Sequence, residues 1–168
     1  MALFPSGPGG GDQVNHGHKG KGVLIHLLIE KNGHPIAATS TAANGNERNE
    51  VEKLLDLVPV NKWINDIGTL SVLEADKGYD SSSLRQSLLN RRILPVIPYR
   101  KNRKDKIEID DIFEMFSVTP SRWKVERAIA WIKRKSRRLL MRWERKQESW
   151  MAFIRVGLIS YWLNQLLR

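Results

Sequence analysis

Hydrophobic and polar positions follow two different rhythms along this chain, and the change divides it. Residues 5–22 (PSGPGGGDQVNHGHKGKG) have no hydrophobic period and abundant glycine, so they read as loop. Residues 23–30 (VLIHLLIE) form a short apolar run of branched side chains, which predicts a largely buried strand. Lys31-Asn32-Gly33-His34-Pro35 follows, and Asn-Gly is a strong hairpin signal, so residues 36–42 are predicted to pair back. Asn46 is placed to cap a helix over 47–57, with Val51, Leu54 and Leu55 on one stripe. Residues 71–75 (SVLEA) predict a strand that ends at Asp76. A helix capped by Asp80 or Ser81 then runs to about Asn90, and 93–97 (ILPVI) predicts a further strand closed by Pro98.

Beyond Tyr99 the short period gives way to charge and then to helical spacing. Residues 99–120 are a charged connector, a helix is predicted from Ser121 to about Trp143, and a second covers 149–167. A hairpin followed by alternating strand and helix units implies an α/β fold, a sheet with helices packed on it. The length suits one domain, organised as loop (1–22), sheet and helices (23–98), connector (99–120) and a helical region (121–168).

Composition narrows the chemistry. There are no cysteines, which removes disulfides, zinc–thiolate sites and thiol catalysis. The first residues, Met1 to Pro5, show neither a basic nor an apolar signal region. Residues 150–167 approach membrane-span length but contain Arg155, Asn164 and Gln165, so a buried or dimer-forming helix is expected, and no membrane partner. A cytoplasmic protein is the resulting expectation. The net charge is +10, and it is concentrated: Arg91 to Lys146 holds 18 Lys/Arg against 7 Asp/Glu. A basic load on one part of a chain, interleaved with tryptophan, is the footprint of a nucleic-acid partner, and DNA is the expected one.

Two acids stand out against that background. Asp76 lies at the end of a predicted strand, where open α/β sheets usually bind ligands, although an Asp there also serves as an ordinary turn former. On the helix after Pro120, Arg122, Glu126, Lys133 and Arg137 fall within roughly 60° of one another at helical spacing. One flank of that strip is apolar (Val125, Ile129, Ile132, Leu139, Leu140, Trp143). The other is basic (Lys124, Arg127, Arg134, Lys135, Arg138, Arg142) and reads as a DNA-binding face, with Lys101 and Arg103 of the connector as further contacts. Glu126 sits on the boundary. It is either a partner in helical ion pairs or a metal ligand at the floor of a DNA groove, where a carboxylate would repel phosphate without an intervening cation.

The runs VLEADKGYDSSSLRQSL (72–88), ILPVIPYRKNR (93–103) and RWKVERAIAWIKRKSRRLLMRWERKQESWMAFIRVGLISYWL (122–163) resemble the catalytic domain of the DDE transposases of bacterial insertion sequences. The upstream run GHKGKGVLIHLLIEKNGHPIAATSTAANGNERNEVEKLLD (17–56) matches the same family's early hairpin and first helix. The resemblance implies a ribonuclease-H-like fold, a mixed five-stranded sheet with flanking helices. It further implies three acids holding two Mg²⁺ ions: an Asp on the first strand, an Asp at the end of the fourth and a Glu on a late helix. Asp76 matches the second and Glu126 the third. Relatives also show Tyr-x-x-Arg-x-x-x-Glu followed by Lys; Arg122, Glu126 and Lys133 keep that spacing, while Thr119 stands at the Tyr position. By the resemblance Arg122 and Lys133 contact phosphate or steady transition-state charge. The first Asp of the family falls at or just before Met1, and Asp12, in the glycine-rich loop, is a poor substitute. The family's N-terminal DNA-binding region has no match, so a second-frame product or a fragment, inactive alone, is expected. The resemblance also implies a dimer in a transposition complex. The rival reading is a DNA-binding remnant without catalysis.

The remaining ionisable and aromatic groups are weaker candidates. His16, His18 and His34 lie in predicted loops with no carboxylate in sight, and His26 inside a strand reads as a structural histidine. Lys19 and Lys21 are solvated loop residues or backbone contacts. Trp123, Trp131 and Trp143 are expected in the core, with Trp131 as the one base-stacking exception.

Overall fold

The computed structural model describes residues 2–59, 71–100 and 122–167, and they fall into two compact units. The first contains residues up to Leu57 and from Trp123 onward; the second spans Val58 to Arg122. The described elements are mixed α and β. No described helix is long and apolar enough to cross a membrane.

In the first unit the long strand β3 (Gly20–Ile29) organises everything else. On one side it pairs antiparallel with β4 (Pro35–Ala42), Val23 opposite Ala42 and His26 opposite Thr39. On its other side lie β1 (Ala2–Leu3), with Leu3 opposite Ile25, and β2 (Asn15–Gly17), with Asn15 opposite Gly22. The hairpin between β3 and β4 turns at Gly33, whose φ of +89° is a region where glycine carries no Cβ penalty. The predicted hairpin is therefore present, with β3 starting three residues earlier than its apolar run.

Side chains of β3 alternate between two faces. Val23, Ile25 and Leu27 join Leu3, Ala38 and the helical residues Ile129, Ile132, Trp150 and Ile154 in one buried cluster. That face is covered by α3 (Arg122–Lys135) and α4 (Gln147–Leu166). Trp150 is fully buried there, and its Nε1–H donates to Ser40 Oγ at 3.1 Å. The other face is covered by α1 (Asn49–Asp56), whose predicted stripe Val51, Leu54 and Leu55 is buried. Asn46 does not cap α1 directly. Its Oδ1 accepts from Arg48 N–H, and the helix begins three residues after it.

Three expectations for this unit fail. Residues 5–22 are not all loop, because β2 and the start of β3 lie within them. The loop that remains is clasped to the segment after α3: Ser6 bridges Met141, Arg142 N–H donates to Ser6 O, and Asp12 N–H donates to Arg145 O. The long helix predicted to reach Trp143 ends at Lys135; a 3₁₀ turn (Arg137–Leu140) and extended chain follow. The clasp supplies the reason, since Arg142 N–H and Arg145 O bond the N-terminal segment instead of continuing a helix. The tryptophans also exchange roles. Trp123 and Trp143 are exposed, at 56% and 54%, whereas Trp131 packs edge-on against Tyr161 with ring centroids 4.6 Å apart.

The second unit is a parallel βαβ arrangement: β5 (Ser71–Glu74), α2 (Ser82–Asn90) and β6 (Ile93–Val96), with Ser71 opposite Ile93 and Glu74 opposite Val96. Leu73, Leu84, Leu88, Ile93, Val96 and Ile97 are buried in it. The described strands thus form a four-stranded antiparallel sheet in the first unit and a parallel pair in the second. Most of the charged connector, including Lys101, Arg103 and Thr119, lies outside the described residues.

Candidate active site and nucleic-acid surface

Asp76 is the first residue past β5 that leaves the ladder. Ala75 N–H still donates to Val96 O, after which Asp76 is extended and its Oδ1 accepts from Lys77 N–H at 2.7 Å. It is exposed, as a ligand-binding carboxylate at a strand end must be. Behind it stands a polar scaffold that sequence reasoning missed. Asp80 is buried and accepts from Arg85 Nε and Nη2, at 3.1 and 3.0 Å, and from Arg100 N–H at 2.9 Å. Arg85 also donates to Ile97 O and lies 4.1 Å over the Tyr99 ring. Arg100 returns to the turn itself, donating to Gly78 O at 3.1 Å. The Lys77–Tyr79 turn that carries Asp76 is therefore pinned from two sides. From the sequence Asp80 reads as a helix cap; the nearest signal of its other use is a spacing of five residues from Arg85, which no common motif marks.

Glu126 lies on α3, exposed, one turn before buried Ile129 and beside buried Ala128. Arg122 opens the helix, its side chain outside the described residues. Lys133 is exposed near the helix end, with Arg134 and Lys135 beside it. Asp76 belongs to the second unit and Glu126 to the first. Among the described residues no group of three or more His, Asp or Glu side chains is placed to hold a metal ion. Asp76 and Glu126 each offer the hard carboxylate oxygens that Mg²⁺ prefers.

The predicted basic face divides on inspection. Lys124 Nζ donates to Lys31 O at 2.7 Å and Arg127 Nη2 to Asn32 O at 2.8 Å, which ties α3 to the β3–β4 turn. Arg127 also lies 4.8 Å over Trp123, making that exposed indole, and not Trp131, the aromatic on the basic flank. Arg134 and Lys135 are exposed and make no ion pair among the described residues. Arg138 is paired with Glu144. Arg142 corrects the expectation outright: it is fully buried, its Nε donates to Glu144 O at 2.9 Å, and it lies 5.6 Å from the Trp150 ring centroid. Burial lowers its pKa from the usual arginine value, with Asp12 and Glu144 acting against that shift. A side chain so enclosed cannot offer itself to phosphate.

Other expected groups find structural uses. Asp12 Oδ2 accepts from Gln147 N–H at 3.0 Å and so caps α4 from across the chain. His26 is buried, with Nε2 bonded to Thr41 Oγ1 at 2.8 Å. His34, read as lacking partners, lies 3.8 Å from Glu30 and bonds Tyr161 OH at 2.9 Å.

Residues 5–163 match the family model described as Transposase DDE domain. A protein of Burkholderia cepacia described as a transposase for insertion sequence element IS402 is 32% identical over 165 residues, 97% of this chain and 71% of that relative. No solved structure matches the chain significantly. On the family match and this relative together, the chain belongs to the transposase DDE domain family.

Proposed function

We propose that this protein is a DNA transposase subunit of ribonuclease-H-like fold, in which Asp76 and Glu126 are two of three acids that bind Mg²⁺. The observation that carries the reading is the pair itself: an exposed Asp at a pinned strand end and an exposed Glu on a helix that ends in exposed cations. Bound divalent ions supply an activated oxygen nucleophile and stabilise the leaving oxygen in phosphodiester chemistry. The chain's own residues do the rest. Arg122 and Lys133 draw the scissile phosphate toward the acids and offset its charge. Arg134 and Lys135 hold the flanking backbone, and Trp123 offers a face for a base. DNA is the partner, handled by a dimer as in the family.

The 168-residue chain has two matched acids, so it is expected to be inactive alone with Mg²⁺ or Mn²⁺. Fusing a strand that bears an Asp ahead of Ala2 is expected to create metal-dependent nicking of duplex ends. Asp76→Asn and Glu126→Gln should each reduce that nicking by at least a hundredfold. A folded fusion protein whose nicking survives Glu126→Gln would refute the assignment. Nicking by the unfused chain, lost in Asp76→Asn, would show that another acid completes the site.

A further inference from the structure

A cavity of about 420 Å³ in the first unit plays no part in the DNA reading. Its floor is four consecutive residues of β4, Ile36 to Thr39. Successive strand residues point to opposite faces, so a groove that touches all four follows the strand's edge and not one face. One wall comes from α1, through Lys53 and Leu57, spaced one helical turn apart. The other comes from α4, through Met151, Arg155 and Leu158.

That edge is open. β4 pairs with β3 on one side, and among the described residues no strand pairs on the other. In such a strand alternate residues turn N–H and C=O outward, which makes a template for another chain. Natural edges are commonly blunted by charge, proline or a bulge. β4 (PIAATSTA) has no charged residue, and its proline and register shift lie at its first residues only. Trp162 Nε1 donates to Pro35 O at 2.8 Å and closes that end; beyond it Ile36, Thr39, Thr41 and Ala42 are partly exposed.

The groove's two ionisable groups are both cations. Lys53 is held by Glu50 at 2.6 Å, while Arg155 is exposed and makes no ion pair among the described residues. A second copy offering the same edge would bring Arg155 and Lys53 of both chains to one seam, where like charges oppose association. We propose that the edge of β4 accepts an extended segment of a protein partner, with alternate apolar side chains in the groove and a carboxylate against Arg155. Backbone bonding along the strand would supply affinity, and the walls selectivity.

The probe is a fluorescein-labelled, acetylated and amidated hexapeptide of alternating Glu and Val, titrated into the 168-residue chain by anisotropy. Saturable binding is expected, at least tenfold tighter than for the Lys–Val hexapeptide. Arg155→Glu should reverse that preference without lowering the melting temperature. Only alternate peptide residues can face β4. N-methylation at odd or at even positions should therefore abolish binding in one pattern and spare it in the other. Equal effects of both patterns, or indifference to Arg155→Glu, would overturn the proposal. So would displacement of the peptide by duplex DNA through Arg155, or sedimentation showing that wild-type chains associate through this edge.

Discussion

Cations at the end of α3 project from a regular helix, whereas Arg138 and Arg142, a few residues further on, find acceptors within the protein. Lys133, Arg134 and Lys135 are exposed at the end of α3. Arg138 pairs with Glu144, and Arg142 is sealed beneath Trp150 and the glycine-rich clasp. Charge alone does not distinguish the two groups. What separates them is whether the side-chain donors already have acceptors, as those of Lys124 and Arg127 also do, because a cation spent on a carbonyl or carboxylate has little left for phosphate.

The largest effect is expected at Arg142. Arg142→Ala removes a buried stem and leaves the Glu144 carbonyl without its donor, and should cost about 2–4 kcal/mol of stability by denaturant titration. A loss under about 0.5 kcal/mol would mean that the clasp does not depend on this side chain. Asp12→Ala should cost about 1 kcal/mol, the usual value of a helix cap. An unchanged midpoint would remove the cap. His26 sharpens the comparison with a different base. Burial holds its imidazole below the usual value of 6.5, with Glu47 and Glu50 acting against it. As pH falls the unfolded chain takes up this proton first. The stability linked to His26 is therefore complete above about pH 6.5 and lost below it. His26→Gln should flatten the stability profile between pH 7 and pH 5; a slope identical to wild type would contradict the assignment.

Much of the fold is legible in the sequence, for a physical reason. The β3–β4 hairpin, α1 and the βαβ unit announce themselves through short apolar periods and turn residues, which are local signals. Residues 136–143 (SRRLLMRW) are also compatible with a helix, and what stops them is pairing with Ser6, more than a hundred residues away. β2 is missed because Asn15-His16-Gly17 has no apolar residue to mark it. Asp76 and Glu126 are singled out in the sequence by the strand end, the helical wheel and the family resemblance. The Asp80–Arg85–Arg100 scaffold behind Asp76 is not, because its members meet only when the turn folds. Arg142 is misplaced by the same helical wheel that places Glu126, since a wheel is valid only as far as its helix continues.

The most direct test of the contrast between the end of α3 and the cations beyond it is the salt dependence of DNA binding. Labelled duplex is titrated with wild type, Arg134→Ala/Lys135→Ala and Arg138→Ala across a range of salt concentrations. Each phosphate neutralised contributes about −0.9 to the log–log slope. The double variant should flatten the slope by roughly one unit for each phosphate it no longer neutralises, for all sequences alike, whereas Arg138→Ala should leave it unchanged. Flattening by Arg138→Ala, with no change in the double variant, would show that the cations after Ser136 carry the DNA and that the division drawn here is wrong.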